Sequence, residues 1–322
     1  MLKQQSQDAA ERPLLSILVP TWNREKDLRQ LLAMLVPLAA ATPRVELIIS
    51  NNGSTDGTRG FLDALPSQPR LRIIHQPINY GMSLHLAWLY GQARGKYLWL
   101  FSDDDLFEPE LLGEILACLD NHPELAWIHL PHQFMNPNAP TLSLCPRTPI
   151  FTERGRSVFP EYFRWITFIS SNVIRTDRLQ PRLPKLTFPS LYWPASLLMA
   201  TVADLPGCVF AERKINAGPD ISWADQQIEV NCLHLPETVL ASPVLSRAEK
   251  RACLRGHYRI IPEALDSLVW LRPSLFIRLL ALDPTQCNPA RFIRIFRRAI
   301  AILTHGRKRP TGASRSGQGP TS

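Results

Sequence analysis

The sequence predicts an α/β protein: a mostly parallel sheet covered by helices, followed by a basic helical extension. Two observations predict the sheet. Through roughly the first 130 residues, short apolar runs of strand length alternate with segments of helical period. Strands that alternate with covering helices build βαβ units, and these units assemble a parallel sheet. The extension is predicted by charge. From Ser246 onward 15 Lys and Arg stand against 4 Asp and Glu, whereas the chain upstream carries 21 against 24. All of the basic excess lies in the last quarter, so the two parts have different work to do.

In chain order, Leu15 to Pro20 reads as a buried strand stopped by proline, and Leu28, Leu31, Leu32 and Leu35 share one face of the helix after it. Val45 to Ser50 is the second strand, ending in the turn signal Asn51-Asn52-Gly53. Ser54, Thr55 and Asp56 offer N-caps to a short helix with Phe61 and Leu65. Leu71 to His75 is a third strand, Met82 to Ala93 a helix, Tyr97 to Phe101 a fourth strand, Leu111 to Leu119 a helix and Ala126 to Leu130 a fifth strand. Pro131 to Pro149 is proline-rich and aperiodic, which predicts a long loop. Ile166 to Ile174 then predicts a strand, Leu197 to Val202 a helix and Cys208 to Ala211 a short strand. The expected organisation is one domain over residues 14–245, with halves at 14–131 and 150–245. A basic helical region over 246–304 and a disordered Gly, Ser, Pro and Arg tail over 305–322 follow.

Composition excludes several classes. Hydrophobic residues at 45% and charged residues at 20% are incompatible with collagen, wholesale disorder or a multi-span membrane protein. Six cysteines without a C-x-x-C pair argue against a zinc ribbon or a thioredoxin-like centre and fit a reducing compartment. Residues 1–13 are polar and do not read as a signal peptide, so the expected location is the cytoplasm. Gly91 to Tyr97 fails as a P-loop, with three residues between its glycines where four are needed and Tyr97 in place of Ser or Thr. A dinucleotide G-x-G-x-x-G is absent. His129 and His132, three apart with no third ligand, read as ordinary core rather than zinc. Trp88, Trp99 and Trp127 also read as core, as do Cys118 and Cys208.

Ligands of such sheets bind beyond the carboxyl ends of the strands. Three of those ends carry polar clusters: Thr21 to Arg24, Asn51-Asn52, and Asp103-Asp104-Asp105. Three adjacent carboxylates repel one another, and a divalent cation offsets that repulsion. Hard oxygen ligands suit magnesium or manganese bound together with phosphate oxygens. The alternative is a solvated acidic turn that caps the next helix.

These clusters sit inside longer motifs. LSILVPTWNR (Leu15 to Arg24) resembles the opening strand of family 2 glycosyltransferases, and ELIISNNGSTDGT (Glu46 to Thr58) their second strand and nucleotide loop. Asn79-Tyr80-Gly81, Gly95-Lys96-Tyr97 and FSDDDLFEP (Phe101 to Pro109) resemble the approach to their acidic motif and the motif itself. The resemblance implies a GT-A fold, a nucleotide-diphosphate sugar donor, and Mn2+ or Mg2+. By the same resemblance Pro20, Thr21, Asn23, Arg24, Asn51, Asn52, Asn79, Gly81, Asp103 and Asp104 bind the nucleotide sugar, and Asp105 with Asp103 holds the metal. Ser170-Ser171-Asn172, Pro206-Gly207-Cys208 and Gly218 to Trp223 resemble abequosyltransferase-like members, which implies a lipid-linked saccharide acceptor in a bacterial surface polymer.

The sequence departs from the family pattern twice. Asn51 stands where aspartate is frequent, and an amide offers both donors and an acceptor, so the base stays open. The region that normally carries the acceptor-activating carboxylate reads LYWPASLL (Leu191 to Leu198), which leaves Asp220 and Asp225 as candidate bases. A non-catalytic nucleotide-sugar-binding protein of the same fold is therefore an alternative. A nucleic-acid-binding protein is another, but zinc-finger, RNP-like and homeodomain patterns are missing. The basic region fits a membrane better: Leu268, Leu271, Leu275, Leu279 and Leu282, with Arg272 and Arg278, have the spacing of an interfacial helix on an anionic surface. Further on, Phe292, Ile295, Phe296, Ile300 and Leu303 interleave with Arg291, Arg294, Arg297 and Arg298. Pro273 and Pro284 exclude one continuous helix. The expected site of action is the inner face of the cell membrane, where helices that merely cover a core are the alternative.

Overall fold

Strands that read as unbroken apolar runs need cover on both faces. β1 (Leu15–Thr21) and β2 (Val45–Asn51) have it, with nearly every side chain buried. The computed structural model describes residues 12–135, 143–188, 192–218, 233–260 and 272–286, together with 293 and 297. Helix α1 (Glu25–Ala40) lays Leu28, Leu31, Leu32, Leu35, Val36 and Ala39 against the sheet, at about 1.5–3 kcal/mol for each fully buried leucine. β2 is followed by α2 (Thr58–Asp63), β3 (Leu71–His75), α3 (Gly81–Tyr90) and β4 (Tyr97–Leu100). Trp99, Phe101 and Phe107 pack with ring centroids 4.9–5.3 Å apart and fill the core under the acidic motif.

The expected α/β layers are present, and the sheet is mixed. After α4 (Glu110–Asn121) come β6 (Trp127–His129), β8 (Ile150–Thr152), α5 (Phe159–Ile166), β9 (Asn172–Arg175), α6 (Thr176–Leu179), α7 (Trp193–Val202) and β10 (Gly207–Val209). The strand order is β3-β2-β1-β4-β9-β6-β10-β8. β9 enters antiparallel between β4 and β6, so the two expected halves share one sheet and do not separate. The expected strand over Ile166 to Ile174 is a helix end, a 3-10 turn at Ile169–Ser171 and then β9. Inside the expected loop after Pro131 lies β7 (His132–Phe134), which joins β5 (Leu106–Phe107) and β11 (Ile215–Ala217) in a three-stranded sheet.

The expected boundary after residue 245 is displaced. α9 (Arg247–Ile260), preceded by α8 (Leu235–Ala241), buries Cys253, Leu254 and Tyr258 and lies on α5, where a methyl at Gly256 would meet Pro160 O at 2.7 Å. The first compact unit is accordingly Met1–Ile260 and the second Ile261–Ser322. Within the second, α10 (Pro273–Leu282) begins at Pro273, a position that tolerates proline because its N–H has no intrahelical partner. Leu275, Phe276, Leu279 and Leu282 of α10 are buried, so that stripe is already covered by protein. Leu268, Leu271, most of 287–304 and the whole expected tail at 305–322 lie outside the described residues. No helix among the described residues is long and apolar enough to cross a membrane.

Candidate functional site

Because β2, β1 and β4 are neighbours, their carboxyl ends bring the three polar clusters together at one edge of the sheet. Asparagine amides hold the loops there. Asn23, in the left-handed region at φ +53°, accepts from Thr55 N (2.8 Å) through Oδ1, and its own N–H donates to Ser54 Oγ (2.9 Å). Asn52 accepts from Tyr80 N (3.1 Å) and donates to Asn79 Oδ1 (2.9 Å), which also accepts from Gly81 N (2.7 Å). These bonds tie the ends of β1, β2 and β3 into one rim, so Asn23, Asn52 and Asn79 shape the site. Pro20 pairs with Ser50 in the β1–β2 register, and Thr21 is buried beside it.

Asn51 is set differently. Its Oδ1 accepts from Ser54 N (2.9 Å), which fixes the amide orientation, and its Nδ2 lies 3.1 Å from His75 Nδ1. An amide nitrogen only donates, so Nδ1 of His75 must accept and its proton sits on Nε2, 3.1 Å from Asp63 Oδ1. One N–H and one lone pair of Asn51 make no further hydrogen bond among the described residues, and the side chain is buried. Sequence reading missed His75 and Asp63, because nothing in the sequence of β3 announces a partner on β2.

The acidic triplet divides by role. Asp105 is buried, with Oδ1 accepting from Gly218 N (2.8 Å) and Oδ2 from Ser170 Oγ (2.5 Å). Each of its oxygens accepts one hydrogen bond from the protein, which leaves one lone pair on each. Asp104 is more open: Arg24 Nη1 donates to Oδ2 at 2.7 Å and Ser102 Oγ to Oδ1 at 2.5 Å. Asp103 lies near the same guanidinium, 3.9 Å from Arg24 Nε. Burial pushes the Asp103 carboxyl up to about 7, against the pull of Thr21 and Arg24. Burial and then the Asp104 charge push Asp105 up to about 7, against the bonds from Ser170 and Gly218. One guanidinium faces Asp27, Asp103 and Asp104, so the cluster suits a further cation. Among the described residues no set of three or more His, Cys, Asp or Glu is arranged to hold a metal. Two carboxylates completed by phosphate oxygens is a common way of holding magnesium, and Asp103 and Asp104 fit that pattern.

His129 and His132 are buried in the core. His129 lies near Asn172 Oδ1 (3.4 Å) and His132 contacts Ser171 Oγ (2.9 Å), and burial lowers them to about 4 and about 3. His85, under the end of β2, contacts Ser50 Oγ at 2.7 Å and is lowered by burial to about 4. A base whose pKa falls on folding stabilises the fold fully above its unfolded value, about 6.5, and that stability is lost as pH falls through about 4. His85→Gln should therefore reduce the slope of unfolding free energy against pH by up to about 1.4 kcal/mol per unit between pH 4 and 6.5. Urea titrations across that range measure it, and an unchanged slope would show that His85 is not held neutral.

Asp220 and Asp225 lie outside the described residues. The first turn of α7, which lies within the Leu191 to Leu198 region, carries Trp193, Pro194 and Ala195. Ser170 and Gly218, which anchor Asp105, belong to segments singled out by sequence, but without that role.

The family described as glycosyl transferase family 2 matches residues 16–178. Abequosyltransferase RfbV of Salmonella typhimurium is 23% identical over 209 residues, covering 61% of this chain and 63% of that protein. The putative colanic acid biosynthesis glycosyl transferase WcaA of Escherichia coli is 33% identical over 107 residues, 33% of this chain and 37% of the other. The chain thus spans less than two thirds of the curated relatives it matches. Among solved structures, S. aureus TarS 1–349 in complex with UDP-GlcNAc superposes with a TM-score of 0.60 at 20% identity, over 83% of this chain and 79% of that one. The Pyrobaculum calidifontis mannosyltransferase PcManGT, in complex with GDP-Man and Mn2+, gives 0.54 at 15% identity, over 91% and 81%.

Proposed function

The chain belongs to glycosyl transferase family 2, and from that premise we propose that it moves a sugar from a nucleoside diphosphate to a hydroxyl of a lipid-linked saccharide in bacterial surface-polymer synthesis. The observation that carries the donor half is the convergence of Asn51, Arg24 and the Asp103 to Asp105 triplet at adjacent strand ends. The names of RfbV, an abequosyltransferase, and WcaA, a putative colanic acid biosynthesis glycosyl transferase, support the surface-polymer setting. Asn51 offers its remaining N–H and lone pair to the base. Asp103 and Asp104 would hold Mn2+ or Mg2+, which would offset charge on the diphosphate leaving group. Arg24 orients Asp104, and Asp105 fixes the triplet on Ser170 and Gly218. Asp220 and Asp225 stay the candidate bases.

A thermal-shift panel of nucleoside diphosphates, with and without manganese, tests the donor site, since a ligand that binds only the folded state raises Tm. The absence of any shift would sink it. A second reading, binding without turnover, is favoured by the first turn of α7, which lacks an acid or base. Release or transfer of labelled sugar decides between the two.

Base reading has its own test. His75→Phe keeps a ring but removes the acceptor for Asn51. It should change the affinity ratio for uridine and cytidine diphosphates about five- to tenfold, the worth of about one hydrogen bond. Asn51→Asp should change it too, because a carboxylate only accepts. Calorimetric ratios that stay constant in both variants would show that this pair does not read the base.

A further inference from the structure

From Gln76 to Ala93 the chain contains no Asp, Glu, Lys or Arg, and Ser83, His85, Trp88 and Tyr90 are the polar-bearing side chains of α3 within it. Leu86, Leu89 and Tyr90 are buried, whereas Leu84 is 55% exposed and Trp88 is 39% exposed. Trp88, read from sequence as core, is therefore at the surface. Ile78, at 59%, and the exposed Tyr80 and Met82 continue the strip toward the rim of the donor site. A surface helix ordinarily keeps its outer face polar, and contiguous exposed apolar area marks an interaction site.

A second segment runs beside it. Residues 178–188 (RLQPRLPKLTF) contain three cations and no acid. Gln180 Nε2 donates to Tyr90 O (3.1 Å) and Ala93 O (3.0 Å), and Trp193 Nε1 donates to Ser83 Oγ (3.1 Å). Phe188, itself exposed, packs edge-on against Trp193 at 5.2 Å. The segment is thus held along α3 near both ends. Arg182 and Lys185 are exposed, and neither has an ion-pair partner among the described residues.

Exposed large apolar side chains edged by cations, with no acid between them, are the composition of an interfacial membrane site. We propose that α3 and residues 178–188 form a face that docks on an anionic lipid bilayer. A second copy fits less well, because a two-fold contact through this face would set Arg182 and Lys185 against like charges. The strip ends at Asn79 and Gly81, on the rim of the donor site, so docking brings that site to the bilayer surface. Only this last consequence rests on the proposed lipid-linked acceptor. None of its residues belongs to the basic C-terminal region.

The test is co-sedimentation of the full chain with vesicles of phosphatidylcholine containing about a third phosphatidylglycerol, at low salt. Binding is expected, with loss in 0.5 M salt, an ionic strength at which exposed charges are largely screened (~0.5 M). Arg182→Gln with Lys185→Gln should lower the partition coefficient about 25-fold, at about fivefold per cation. Leu84→Ser with Trp88→Ser should lower it at least about tenfold through lost apolar burial. Ile277→Ser on α10 should leave it unchanged. Three results would overturn the proposal: no binding of the wild type, undiminished binding of the Leu84/Trp88 variant, or lipid-free self-association that this variant abolishes. The nucleoside diphosphate shift, measured without vesicles on the same variants, should be unaltered. Its absence in the wild type would count against the donor reading and not against docking.

Discussion

Asp104→Asn should lower kcat/KM at least a hundredfold while leaving stability nearly intact, and Asp105→Ala should unsettle the fold itself. Asp104 sits at the rim, its oxygens bonded to Arg24 and Ser102, groups that can re-form bonds to solvent or ligand. Neutralising it removes a full charge from the donor site, and a hundredfold loss corresponds to about 2.7 kcal/mol of transition-state stabilisation. Asp105 is enclosed. Its removal leaves the Gly218 N–H and the Ser170 hydroxyl without their acceptor. Each buried orphan costs about 1–3 kcal/mol, and relief of carboxylate repulsion offsets part of that, for a net loss of about 2 kcal/mol. Asp105→Asn keeps an acceptor and should lose less. Urea midpoints on the three variants, with initial rates on Asp104→Asn, measure the split. Equal stability of Asp105→Ala and wild type would show that those two bonds do not anchor the triplet.

That split was not legible in the sequence, for a physical reason. Three neighbouring carboxylates predict repulsion, and so predict that deleting Asp105 barely lowers stability. The bonds that reverse this come from Ser170 and Gly218, brought under the triplet by β9 and β11. The periodic elements were legible: β1 to β4 and the helices between them follow hydrophobic patterns of strand and helix length. The small sheet was not, because β5, β7 and β11 are two or three residues long and a strand that short has no period to read. The antiparallel entry of β9 was equally hidden, since pairing direction is set by how the chain returns to the sheet. In the donor loops, residue types were legible and their partners were not. The asparagines of those loops are polar residues at strand ends in either reading, and only the hydrogen bonds show that Asn23 and Asn52 clamp neighbouring loops whereas Asn51 is set against His75.

Gly53→Ala should be the most disruptive single methyl in the donor loops. Gly53 follows Asn52 at φ +67°, a conformation that costs a residue with a Cβ about 1–2 kcal/mol. The added carbon would also lie 2.4 Å from Ile78 C and 2.7 Å from Asn79 N. Both are backbone atoms and cannot swing aside, so the 78–79 segment must move away. That movement strains the bonds between Asn52 and residues 79–80, which join the second loop to the third. Strain and lost bonds together should lower stability by about 3 kcal/mol. Nucleoside diphosphate affinity should fall at least about tenfold, because the rim no longer holds Asn51 and its neighbours in register. Gly60→Ala is the control. Gly60 lies within α2, nothing stands within 4 Å of a carbon added there, and alanine should raise stability by up to about 1 kcal/mol. Calorimetric titration and urea unfolding of the two variants separate backbone conflict from a general cost of adding methyl groups. If Gly53→Ala binds and unfolds like Gly60→Ala, the close approach of the second and third loops does not constrain the site.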